Sequence, residues 1–177
     1  MIKLTPTMKK FILHWGEMGT RWGINRTVAQ VHALLFISPK PLNAEEIAKL
    51  LSVARSNVST SLRELQNWGI VKIVHVMGDR RDHFESMKDI WEMFHAILNE
   101  RKRREIDPTV ELLKECLAET GGGSQDDVTA RKRLQEMLDF FNTMRICYEQ
   151  VRRLPAPALV KLVKTGDKVR KFLGANL

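Results

Sequence analysis

The side chains best equipped for chemistry crowd into one short stretch, "ARSNVSTSLREL", residues 54–65. A helix that turns Val58, Leu62 and Leu65 inward turns Arg55, Ser56, Asn57, Ser59, Thr60 and Arg63 outward. That inventory suits the reading of a nucleic-acid groove. Arginine can bond two acceptors on guanine, asparagine two sites on adenine, and serine or threonine either bases or phosphates. Short side chains also let a helix enter a groove roughly 12 Å wide, and the helix N-terminus adds backbone donors for phosphate. The plainer alternative is a solvated polar face. Downstream, "MGDRRD" (77–82) places Arg80 and Arg81 at the expected tip of a hairpin. An arginine there enters a narrow minor groove or holds phosphates, unless Asp79 and Asp82 neutralise it locally. Which of the two arginines makes the contact stays open.

Other chemistry is thinly represented. His14, His32, His75, His83 and His95 show no metal-like pairing with cysteines or carboxylates. Cys116 and Cys147 lack an activating context. Gly121, Gly122 and Gly123 are followed by no GK[ST] and preceded by no strand, so they are not a phosphate loop. With no nucleophile beside a base, the sequence does not read as an enzyme and implies no cofactor or metal.

The elements that must position these groups can be read from periodicity. Residues 6–22 predict an amphipathic helix with Met8, Phe11, Ile12, Trp15, Met18 and Trp22 on one stripe, its far end loosened by Gly16, Gly19 and Gly23. Asn25 caps a second helix, 26–38, and Pro39 and Pro41 then force an extended connection. Asn43-Ala44-Glu45-Glu46 is a capping-box start for a short helix carrying Ile47, Leu50 and Leu51. Ser52-Val53 is a turn, 55–68 the next helix, and Gly69 its left-handed stop. Residues 70–76 predict a strand, 77–81 a turn and 83–85 a returning strand. Helix, tight turn, helix and hairpin in that order make a winged helix-turn-helix.

Past Lys88 the pattern is helical again, with Ile90, Trp91, Phe94, Ile97 and Leu98 on one stripe and a new start or kink at Asp107-Pro108. "TGGGSQDD" (120–127) reads as a linker. Leu134, Met137, Phe141, Met144, Tyr148 and Val151 alternate by three and four, close to a heptad seam. After Pro155 and Pro157 a basic helix is expected over the last residues. The fold class is therefore mainly α: a winged helix-turn-helix with a small hairpin wing and flanking long dimerisation helices. Three regions follow: an N-terminal helix (1–24) packing on the dimer and effector region, a DNA-binding winged helix (25–87) and a helical dimerisation region (88–177).

Composition agrees. The 177 residues are 44% apolar, enough for a core, and carry a net charge of +8. Residues 152–177 hold seven Lys and Arg against a single acid, and residues 1–87 hold twelve against seven. Both ends suit an anionic partner, though a merely solvated basic tail is as good a reading. Two cysteines make no disulfide framework and fit a reducing compartment. Neither a membrane span nor a signal peptide is legible, so the cytoplasm is expected.

The stretch "NAEEIAKLLSVARSNVSTSLRELQNWGIVKIVHVMGDRRDHFE" resembles the winged-helix region of MarR-type transcriptional regulators. "DIWEMFHAILNERKRREIDPTVELL" and "WGINRTVAQVHALLFIS" are similar to one branch, the regulators related to the glycine betaine synthesis repressor. The resemblance spans residues 10–118. It implies a homodimer built on terminal helices, with two winged motifs on one pseudo-palindromic stretch of double-stranded DNA. Arg55, Ser56, Asn57, Ser59 and Thr60 fall at recognition-helix positions and Arg80 and Arg81 at wing positions. Ala54 stands where the family commonly has a capping serine, and Ser52 where glycine is common. Either Ser56 starts the helix later or packing compensates. The branch also implies a choline-like quaternary ammonium effector, a cation held on aromatic faces. Trp15, Trp22, Trp91, Phe94 and Tyr148 are the candidates to line such a cage, against the plainer reading that they are core. A winged helix that grips another protein instead of DNA is the alternative, since fold alone does not settle function.

Overall fold

The computed structural model describes residues 2–119 and 125–155, together with 157, 158, 161 and 165. The expected linker glycines, residues 121–123, and the basic helix after Pro157 lie largely outside the described residues. The elements run α1 (Pro6–Arg21), α2 (Arg26–Ile37), β1 (Leu42–Asn43), α3 (Ala44–Leu51), α4 (Arg55–Asn67), β2 (Val71–Val76), β3 (Asp79–Ser86), α5 (Ile90–Arg101), a π-helical turn (Lys102–Ile106), α6 (Asp107–Glu119) and α7 (Gln125–Arg153). The chain is mainly helical with one small antiparallel sheet, and it forms two compact units, Met1–Leu98 and Asn99–Leu177. Among the described residues no helix is long and apolar enough to cross a membrane.

In the first unit, side-chain caps set the starts of α1, α2 and α3. Thr5 accepts from the Met8 N–H at 3.2 Å, and Pro6 follows at the first helical position. Asn25 accepts from the Thr27 N–H at 2.8 Å. At α3 the capping box is complete: Asn43 accepts from Glu45 and Glu46 N–H at 3.1 and 3.0 Å, and Glu46 Oε2 accepts from the Asn43 N–H at 3.1 Å. The ammonium of Lys88 closes the far end of α2, donating to the carbonyls of Leu35, Phe36 and Ser38 at 2.9, 2.8 and 3.0 Å. Its burial pulls the Lys88 pKa down.

Gly16 and Gly19 do not loosen α1; they are buried where it meets α2. A Cβ on Gly19 would lie 2.5 Å from Ala29 Cβ, whereas one on Gly16 would meet only the Gln30 side chain. Gly19→Ala should therefore cost about 1–2 kcal/mol by overpacking, net of the better helix propensity of alanine. Gly16→Ala should be close to neutral, because Gln30 can swing away. Urea midpoints of the two variants provide the check.

The turn between α3 and α4 passes through Ser52 at φ 54° and ψ 43°, the left-handed region. A non-glycine residue there pays a steric penalty. Ser52→Gly should raise stability by about 0.5 kcal/mol after the entropy of the freer unfolded chain is deducted; a thermal melt that shows a loss would contradict this. The following helix opens at Arg55, with Ala54 as an N-cap that makes no side-chain hydrogen bond. Ser56 does not take over the cap, so packing holds the helix: Val58, Ser61, Leu62 and Leu65 are buried, and α4 lies against α2 and α3.

The sheet order is β1-β3-β2, with Leu42 opposite Phe84 and Ile73 also opposite Phe84 on the other side. The two-residue strand β1 was not expected from sequence. The hairpin is also tighter than expected. Gly78, at φ +83°, turns the chain at Met77-Gly78, and pairing resumes with Val76 opposite Asp79. Arg80 and Arg81 therefore lie on β3, not at the tip, which is the fully exposed Met77.

In the second unit, Val110 and Leu113 of α6 pack with Leu134, Leu138 and Phe141 of α7. Glu100 is almost fully buried there, and hydrogen bonds from Arg103 and then Arg104 hold its carboxyl below the usual range.

Candidate nucleic-acid interface

The burial of Val58, Leu62 and Leu65, at 0%, 2% and 2% exposure, decides which way α4 faces. Arg55, Ser56, Asn57, Ser59, Thr60 and Arg63 are all exposed on the opposite side. Six side chains chosen for their type thus share one solvent-facing strip of a helix, with no bulky apolar group among them. The strip presents guanidinium and amide forks with hydroxyls between them, the donor and acceptor set that base edges and phosphates require.

The wing adds a second cationic element, unevenly. Arg81 is committed to acids: its Nε and Nη2 donate to the Asp79 carboxylate at 2.9 and 2.6 Å, and its Nη1 to Glu45 Oε2 at 3.2 Å. Its backbone N–H also donates to Asp79, at 3.0 Å. The side-chain bond from Arg81 is the main reason the Asp79 carboxyl is held far below the usual carboxylate range, and Asp79 in turn raises the guanidinium pKa. Arg80 is exposed and forms no ion pair among the described residues. Arg55 Nη1 lies 3.9 Å from Glu45 Oε1. The ends of α3 and α4 and the base of the wing thereby enclose an open polar cleft of about 370 Å³, lined in part by Glu45, Arg55, Ser59, Arg80 and Arg81.

A profile described as MarR family matches residues 22–82, the stretch from the end of α1 into β3. The match covers the helix-turn-helix and most of the wing. The chain is similar to the HTH-type transcriptional repressor GbsR of Bacillus subtilis (strain 168), with 22% identity over 155 residues, 86% of this chain and 82% of that protein. It is also similar to the HTH-type protein YvaV of the same organism, with 21% identity over 141 residues, 75% of this chain and 80% of that one. Among solved structures, a transcriptional regulator superposes with a TM-score of 0.67 at 24% identity, covering 90% of this chain and 99% of the other. That likeness speaks for the fold.

All eight candidate DNA-contacting residues fall inside the MarR segment, on α4 or β3. Of the five aromatic candidates only Trp22 does. Trp15 and Trp22 form an edge-on pair with centroids 6.4 Å apart, and Trp91 and Phe94 another at 6.3 Å. Trp22, Trp91 and Phe94 are exposed, and Trp15 is half-buried against the core. Tyr148 belongs to the second unit; its hydroxyl is buried without a hydrogen-bond partner among the described residues, and burial pushes its pKa up.

Glu45 was not singled out from sequence, where it reads only as a first-turn acid favourable to the helix dipole. Its partner Arg81 is 36 positions away, and no local pattern announces such a pair.

Proposed function

We propose that this chain is a dimeric transcriptional regulator of the MarR type. Two copies read a pseudo-palindromic operator, each with residues 55–67 in a major groove and the wing, 77–83, against the flanking backbone. The observation that carries the reading is the strip of Arg55, Ser56, Asn57, Ser59, Thr60 and Arg63, held outward by three buried aliphatics. Two-fold symmetry would set the half-sites about 34 Å apart. The regulatory names of the similar proteins point the same way.

Support for a dimer comes from α7. Together with Leu138 and Phe140, residues of the near-heptad seam form two stripes. Leu134, Leu138 and Phe141 pack within the unit, while Met137, Phe140 and Met144 remain about half exposed. An apolar stripe of that kind on a long helix suits a second copy. The reading extends to a choline-like effector on the faces of Trp15, Trp22, Trp91 and Phe94 in the first unit, for which aromatic rings are the suitable chemistry. Differential affinity of the effector for the operator-fitting state would then change occupancy. Tryptophan fluorescence that is indifferent to choline and its oxidised relatives would remove the effector from this reading.

The decisive experiment is footprinting and gel shift on the promoter upstream of the chain's own gene, at ~150 mM salt. Asn57→Ala and Arg55→Ala should each reduce discrimination between operator and random duplex by about 1–3 kcal/mol. Arg80→Ala should weaken both alike and lower the salt slope by about one. Wild type that prefers no promoter sequence, with or without ligand, defeats the reading; a protein partner captured by such a chain would favour the adaptor role.

A further inference from the structure

Glu45 stands where the reading helix, the wing and α3 come together. One carboxylate uses both oxygens: Oε2 accepts from Arg81 Nη1 at 3.2 Å, and Oε1 lies 3.9 Å from Arg55 Nη1. The other edge of Arg81 is occupied by Asp79. Two guanidinium groups on the face proposed to meet DNA are therefore already paired with acids. Glu45 itself is about half exposed beside them, where approaching phosphates would come.

This arrangement is unfavourable for any contact that depends on charge alone. Non-specific binding to duplex DNA rests on cations that replace condensed counterions at phosphates. A phosphate that recruits Arg55 must take it from Glu45 and also approach the remaining carboxylate. A base edge offers more. The paired acceptors of guanine engage both prongs of a guanidinium as a phosphate can, but they are uncharged and meet no repulsion from the neighbouring carboxylate. The carboxylate thus penalises the wrong partner more than the right one, the repulsive element that specificity requires.

We propose that Glu45 is a specificity-determining residue: it holds Arg55 and Arg81 against capture by phosphates and thereby selectively weakens binding to DNA that lacks the matching bases. The inference rests on the DNA-reading function proposed above. Glu46 supplies the control. It sits in the same helical turn with the same charge, but its carboxylate serves the Asn43 N–H, and glutamine can keep that capping bond.

The test measures affinity of full-length wild type, Glu45→Gln and Glu46→Gln for a random-sequence duplex across a salt series. Glu45→Gln should bind it roughly three- to ten-fold more tightly at low salt, with a steeper salt dependence. Glu46→Gln should stay near wild type. The proposal is overturned if Glu45→Gln binds random duplex no more tightly than wild type, or if Glu46→Gln gains as much, since net charge would then suffice. Wild type that binds no duplex at any salt overturns the DNA-reading function, and this inference with it. Normal wild-type binding with an unaltered Glu45→Gln overturns this inference alone.

Discussion

Replacing Leu62 by alanine is expected to cost about 3–4 kcal/mol of folding stability. Leu62 is 2% exposed in the core of the first unit, on the inner face of α4. Leucine-to-alanine changes at such sites lose the transfer energy of the removed methyl groups and leave a cavity, for a total of roughly 2–5 kcal/mol. Its neighbours Val58 and Leu65 are equally buried, so little exposed surface can collapse into the space. Against a typical domain stability of about 5–15 kcal/mol, the loss is a large share. Since α4 has no side-chain N-cap, packing is what holds it. Equilibrium urea unfolding of Leu62→Ala beside Asn57→Ala is the comparison. The first should lower the midpoint steeply, while the second, fully on the surface, should leave it nearly unchanged. A Leu62→Ala protein within about 1 kcal/mol of wild type would mean that the inner face has been misjudged, and the outer face with it.

The second large effect is a loss of stability in mild acid that traces to one imidazole. His32 is 5% exposed, its Nε2 has no hydrogen-bond partner among the described residues, and Trp15 and Phe36 flank its ring. Burial, and then the positive charge of Lys88, lower its pKa from 6.5 to about 4. The folded state therefore keeps His32 neutral where the unfolded chain already binds a proton. The unfolded state holds more protons between those two values, so stability rises with pH across that interval. The contribution is complete above pH 6.5 and declines as pH falls towards 4. A shift of this size corresponds to roughly 3 kcal/mol. Urea unfolding of wild type and His32→Phe at neutral pH and near pH 4 isolates the effect, because the carboxylates common to both cancel. Wild type should lose about 3 kcal/mol more than the variant over that interval. Parallel losses would show that the imidazole is hydrated or paired in solution.

Much of the first unit was legible before any coordinates. The caps at Asn25 and Asn43 are single residues acting on backbone donors two or three positions away, and such chemistry is written locally. The inward set Val58, Leu62 and Leu65 follows from helical period alone, and the outward set follows from it. The stop at Gly69, with φ +73°, is equally local. Readings went astray where a residue's role depends on something far along the chain. Gly16 and Gly19 looked like helix weakeners because their neighbour, α2, is invisible to a periodicity argument. The near-heptad of α7 looked like one seam, yet α6 covers part of it. The wing arginines looked like a tip because the turn closes in two residues, a matter of pairing register between β2 and β3.

What the sequence by itself determined is the helices of the first unit, most of their ends, and the polar inventory on the outer face of α4. Those depend on hydrogen bonds and burial within a few residues of each other, where spacing is sufficient information. What only the tertiary structure decided is which charges meet. Arg81 is engaged by Asp79 and Glu45, Arg55 is near Glu45, and Arg80 is left exposed. An ion pair depends on distance in space, and that distance is set by how α3, α4 and the hairpin pack together.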